Sequence, residues 1–173
     1  MKIILVLTIL LTLVIGGAFA ASVSSGALNV FGKIGSGDLQ FDVTQTLLAT
    51  NRIDLIANAN VQSDGAGVEV GNWVFDATNQ ENPVNYSVTY TFGPLTQGTD
   101  NIPYELIIVD GTPVASPVGL ASGDTTLFSA TAGNFNTTRD VLVRLTAAGE
   151  TAASTAAASS SYNSTVTVDL ATI

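Results

Sequence analysis

The sequence predicts an all-β fold, a two-sheet antiparallel β-sandwich of about eight to ten strands, and three observations carry that prediction. Apolar and polar residues alternate with period two from Leu28 onward, and helical periodicity is nearly lacking. Gly, Pro and Asp punctuate the chain at short intervals, as connections between short strands require. Each alternating run has one polar face, so packing two sheets on their apolar faces is the economical way to bury the other.

The elements follow in order. Leu28, Val30 and Ile34 share one face of a first strand, with Asn29 and Lys33 opposite. Leu39, Phe41 and Val43 alternate with Asp38, Gln40 and Asp42, and Ile53 to Val61 reads as a third run of the same kind. Val68 to Asp76, Ser87 to Phe92, Tyr104 to Val109, Thr125 to Ser129, Val141 to Thr146 and Thr165 to Leu170 complete the set. These runs are rich in the β-branched and aromatic residues that suit a pleated surface. Gly35-Ser36-Gly37, Asp64 to Gly67, Gly93-Pro94, Asp110-Gly111 and Ser122-Gly123-Asp124 supply the turns. Ala147 to Ser161 is almost entirely Ala, Ser, Thr and Gly. It reads as a flexible connection, with a short helix as the alternative.

The N-terminus predicts export. One positive residue, Lys2, precedes the apolar run Ile3 to Ile15, and Ala18-Phe19-Ala20 fits the small-x-small rule for cleavage after Ala20. Residues 1–20 are thus expected to be a signal peptide, and 21–173 a single β-sandwich domain found outside the cell or on its surface. No second apolar run of spanning length follows Ala20, so no membrane association is expected once the signal is cut.

Composition narrows the chemistry. The chain has no His and no Cys. This removes Ser-His-Asp and Cys-His nucleophilic mechanisms, the usual zinc sites and any disulfide framework. A net charge of −9 repels phosphate backbones, so no nucleic-acid partner is expected. The Gly-rich stretches lack the Lys-Ser/Thr of a phosphate loop. Paired loop carboxylates among Asp76, Glu81, Glu105 and Asp110 are the one acid/base option, of the glycosidase kind, and solvated loop acids account for them more simply. The chain is therefore expected not to be an enzyme and to need no cofactor. Calcium is the one ion that Asp64, Asp76, Asp100, Asp110 and Asp124 would suit, although turn formation explains these positions equally well. Asn85, Asn136 and Asn163 each open an Asn-x-Ser/Thr sequon and are candidate glycosylation sites. Trp73, with Phe75 and Tyr90, would serve either as a sugar-stacking platform or, the commoner role, as core. Lys33 reads as an edge-strand charge, with an isopeptide cross-link as the sharper alternative.

Both ends of the chain carry a resemblance. Ser25 to Ile34, a small polar arm running into an alternating stretch, resembles the N-terminus of filament-forming β-sandwich subunits. Ser161 to Leu170 is similar to the closing strand of spore-coat-U-like and chaperone-usher-type pilins. The layout resembles donor-strand pili and threads of archaea and TasA-like matrix fibre proteins, although bacterial pilins of that kind often carry a disulfide. The resemblance implies an Ig-like or pilin-like sandwich and an extracellular structural subunit that self-assembles into pili, threads or biofilm-matrix fibres. Its partners would be copies of itself. Residues 21–34 would act as a donor arm, with Leu28, Val30 and Ile34 as the inserted side chains. The alternative is a monomeric secreted carbohydrate- or ligand-binding sandwich.

Overall fold

A computed structural model describes residues 29–32, 38–47, 52–111, 118–158 and 162–173. The expected signal peptide, the arm from 21 to 28, Lys33, Ile34 and the turn at 35–37 lie outside these residues. Among the described residues there are ten strands: β1 (Asn29–Gly32), β2 (Asp38–Gln45), β3 (Val68–Gln80), β4 (Val84–Phe92), β5 (Leu95–Gln97), β6 (Asp100–Ile102), β7 (Tyr104–Val109), β8 (Thr125–Ala130), β9 (Gly133–Leu145) and β10 (Val166–Thr172). A five-stranded sheet runs in the order β1-β2-β3-β9-β7, a three-stranded sheet in the order β10-β4-β8, and β5 pairs with β6 as a small ribbon. Every pairing is antiparallel. The all-β sandwich expected from the period-two pattern is therefore the architecture found.

The core shows why alternation had predictive force. Along β3 the buried residues are Gly71, Trp73, Phe75 and Ala77, separated by half-buried outward residues. Along β4 they are Tyr86, Val88 and Tyr90. Phe41 of β2 and Val141, Val143 and Leu145 of β9 join them from the larger sheet, and Val168 of β10 from the smaller. An aromatic cluster bridges the layers: Phe128 of β8 lies 5.0 Å from Phe75 and 5.3 Å from Tyr86, measured between ring centroids. Offset and edge contacts of this kind add to the area term.

The two longest strands, β3 and β9, have thirteen residues each and form the spine of the larger sheet. β3 accompanies β9 over nearly its whole length, from Val68↔Val143 to Gln80↔Gly133. On the other side β7 pairs only with Asp140 to Leu145. The pairing of β7 then ends, and after Gly111 the described chain resumes at Val118. Leu120 exchanges two backbone hydrogen bonds with Leu106, on the side of β7 away from β9.

Two expectations are corrected. Ile53 to Val61 is not a strand but a series of turns ending in a single 3-10 turn, Ala59–Val61. Asp54 Oδ1 accepts from the amides of Ile56 and Ala57, at 3.0 and 2.8 Å, and Asn58 Oδ1 accepts from Asn60 N. These local bonds outcompete a ladder, as short polar side chains do. Val61 is nonetheless fully buried, so the apolar residue of this stretch plugs the core without β structure.

The second correction concerns Ala147 to Ser161, which is not wholly an irregular connection: Ala147–Thr155 forms α1. Thr146 caps it, its Oγ1 accepting from Gly149 N at 3.0 Å, and Glu150 supplies the acidic first turn that complements the helix dipole. Gly149 is buried against Pro103, where an added Cβ would sit 1.9 Å from the Pro103 carbonyl oxygen. Close approach, not chain flexibility, explains this glycine.

Candidate functional site

The positions named from sequence are dispersed by the fold. Trp73 is 1% exposed and Phe75 and Tyr90 are fully buried, so none of the three presents a ring for stacking on sugar. The core role holds, and the platform is overturned. Trp73 Nε1 donates to the Tyr90 hydroxyl at 2.9 Å, and that oxygen lies 3.1 Å from Thr126 Oγ1. Burial pushes the Tyr90 phenol upward, against the opposing pull of these hydrogen bonds and of nearby Arg139. Burial likewise raises Tyr86 and Tyr104, whose hydroxyls pair with Gln80 and Ser164. The sandwich interior thus satisfies its phenols and its indole internally.

The acidic residues are engaged in local structure. Glu105 accepts from Arg144 Nε at 2.7 Å, and Arg144 Nη1 also donates to the Gly65 carbonyl at 3.2 Å, tying the 52–67 loop to the sheet. Asp124 accepts from the Ala121 amide at 2.7 Å in the turn before β8. Asp100 accepts from the Tyr162 hydroxyl at 2.7 Å and from Ala157 N at 3.1 Å. These bonds, that from Tyr162 above all, hold its carboxyl below the usual range. Asp76 stands on the outer face of β3, in register with Gln40 and Asn136, while Glu81 and Asp110 lie just beyond the ends of β3 and β7. Among the described residues no three carboxylates come together to hold a metal ion. The calcium expectation therefore finds no ligand cluster there.

The sequon asparagines are all exposed. Asn85 stands on the outer face of β4, and its Oδ1 accepts from Ser129 Oγ at 2.5 Å. Asn136 lies on the outer face of β9 beside Asp76. Asn163 forms a two-way backbone bridge with Thr96 just before β10. Of the expected donor residues, Val30 falls within β1, in register with Phe41 at the edge of its own sheet, whereas Leu28 and Ile34 lie outside the described residues.

What the fold does assemble is a set of strand edges. Among the described residues the smaller sheet ends on β8 on one side and β10 on the other, with no strand paired beyond either. The outer face of that sheet carries Asn85, Ser87, Thr89 and Thr91 of β4, Thr125, Leu127 and Ser129 of β8, and Thr167, Asp169 and Ala171 of β10. It has a single carboxylate, Asp169, and an exposed Leu127. Hydroxyl-rich strands with unpaired edges can exchange main-chain hydrogen bonds with another chain while offering little like-charge repulsion. The sequence alternation pointed to strands, but which of them end a sheet is set by long-range pairing and has no local signal. Comparisons with protein-family models, curated proteins and solved structures find no match to this chain.

Proposed function

We propose that this protein is an extracellular structural subunit that assembles with copies of itself into filaments at the cell surface. The observation that carries the reading is the three-stranded sheet, open on both edges among the described residues, laid over a five-stranded one. Unpaired edge amides and carbonyls are templates for strand addition, and globular proteins ordinarily blunt them with charge, Pro or a covering segment. β8 (TTLFSA) carries neither charge nor Pro, and β10 (VTVDLAT) carries one acid.

The N-terminal segment 21–34 would be the donor, with Leu28, Val30 and Ile34 supplying apolar side chains at period two once β1 exchanges its pairing with β2 for a neighbour's edge. A donor arm and an acceptor edge are different surfaces, so the contact is head-to-tail and propagates instead of closing. The sequence supports export of the subunit through the leader at 1–20. Electron microscopy of the exported protein, with and without residues 21–34, tests this reading. Filaments from the full chain that vanish on removing the arm are expected. A full-length protein that stays monomeric at high concentration would refute it.

A further inference from the structure

We infer that Asn85 carries an N-linked glycan, attached during export, whose first sugars cover the apolar residues beside it on the outer face of the smaller sheet. The inference rests only on the export part of the proposed reading and goes beyond it by naming a modification site. Asn85, Asn136 and Asn163 all open sequons, and the fold sets the first apart.

Asn85 lies on β4, the central strand of the β10-β4-β8 sheet. It stands in register with Ser129 of β8, and its carbonyl accepts from Ile173 N at 3.0 Å, just past the end of β10. Asn85 is exposed, and Ser87, two residues on, shares its face of the strand. The acceptor amide and the hydroxyl that completes the sequon are therefore presented together. Asn85 Oδ1 accepts from Ser129 Oγ at 2.5 Å, while Nδ2, the atom that would bear the sugar, makes no bond among the described residues. A glycosylated amide keeps Oδ1 as an acceptor, so the Ser129 bond and the ladder both survive the modification. In the transfer, Nδ2 loses a proton to a base of the transferase and bonds the anomeric carbon of a sugar. The bond from that carbon to the phosphate oxygen of a lipid-linked donor breaks, and the phosphate leaves with the electron pair.

The neighbours of Asn85 give the glycan something to cover. Four large hydrophobic residues are exposed among the described residues, Ile56, Val118, Leu127 and Ile173, and two of them flank this asparagine. Leu127, in register with Ser87, is diagonal to Asn85 at about 7–8 Å. Ile173 follows the Thr172↔Tyr86 pair and so falls opposite Asn85. The face holds a single carboxylate, Asp169, to keep these side chains wetted. A bulky, hydrated sugar between Leu127 and Ile173 shields both. Asn136 instead stands opposite Asp76, and Asn163 bridges Thr96.

The order of emergence also favours Asn85. An exported chain appears N-terminus first, and both partners of β4 lie downstream, β8 from Thr125 and β10 from Val166. Asn85 thus waits for 40 further residues, from 85 to 125, before β8 begins to appear. Asn136 and Asn163 emerge after their partners in β3 and at Thr96, which can draw them into structure at once.

Mass spectrometry of the protein recovered from outside the cells that make it tests this, on the unaltered chain and on Ser87→Ala, which keeps Asn85 but removes the sequon hydroxyl. The unaltered chain should carry added sugar mass on the peptide containing Asn85, and Ser87→Ala should lose it. Enzymatic release of the sugar should raise the binding of an apolar dye severalfold, and Leu127→Ser should blunt that rise. A chain cut after Ala20 with Asn85 bare would overturn the inference while leaving export standing. A chain that keeps residues 1–20 and stays inside the cell, with Asn85 bare, would overturn both. Sugar confined to Asn136 or Asn163 would overturn the choice of site, and dye binding indifferent to the sugar would overturn its covering role.

Discussion

Tyr90→Phe isolates the polar contact at the centre of an otherwise apolar core. The substitution keeps the ring and its packing but removes the oxygen that accepts from Trp73 Nε1 at 2.9 Å and lies 3.1 Å from Thr126 Oγ1. Trp73 is 1% exposed, so its N–H has no water to turn to. Leaving such a donor unpaired costs about 1–3 kcal/mol. Thr126 is half-buried and regains solvent, so its loss adds little. The total comes to about 2 kcal/mol, a sizeable share of the roughly 5–15 kcal/mol that holds a domain folded. With a urea slope of about 2 kcal/mol/M, the unfolding midpoint should fall by about 1 M. A double-mutant cycle sharpens the result: in a Trp73→Phe background the cost of Tyr90→Phe should shrink to a fraction, because the donor is gone. A midpoint shift below about 0.2 M, or equal costs in both backgrounds, would refute the idea that this bond is what the phenol contributes.

Three further outcomes follow from the same packing. The buried phenols of Tyr86, Tyr90 and Tyr104 are all raised, so their contribution is complete below the unfolded value near pH 10 and lost as pH climbs through the folded values. Urea midpoints should therefore decline steeply above about pH 10, and less steeply in Tyr90→Phe. Gly149→Ala, which helix propensity alone would make stabilising by about 1 kcal/mol, should instead destabilise by about 1–3 kcal/mol, because its Cβ meets the Pro103 carbonyl. Thermal denaturation decides the sign. Asp100→Ala frees the Ala157 amide and leaves the Tyr162 hydroxyl only the Ala157 carbonyl, so amide exchange at Ala157 should quicken severalfold while the global urea midpoint holds.

The strands were legible because both faces of this sandwich obey the same rule. Ser87 to Phe92 and Thr165 to Leu170 alternate in sequence, and Val88, Tyr90 and Val168 are buried where the alternation places them. Tyr104–Val109 matches the expected bounds. The rule failed where short polar side chains captured the backbone: the alternation of Ile53 to Val61 is genuine, but Asp54 and Asn58 bend the chain before it can pair. It also failed at Ala147–Thr155, where four alanines, the Thr146 cap and docking on Pro103 outweigh the Gly, Ser and Thr that weaken a helix. The Asp100–Tyr162 bond joins residues far apart in the chain and had no local signature. That β7 pairs only with Asp140 to Leu145 of the longer β9 was hidden for the same reason. A strand's length is written in its own residues, but the length of its partner is not.

The β3–β9 ladder has a mechanical meaning. Strands pulled along their length load all their cross-links at once, whereas strands peeled from an end break them one at a time. A molecule pulled between the β2 and β9 sides of the larger sheet would carry tension through β9, β3 and β2, whose registers run from Gly133 to Val143 and from Asp38 to Gln45. The smaller sheet, α1 and the β5–β6 ribbon lie off that line. They would keep the spine dry without bearing the pull, so damage to them would soften the domain before it weakened the spine.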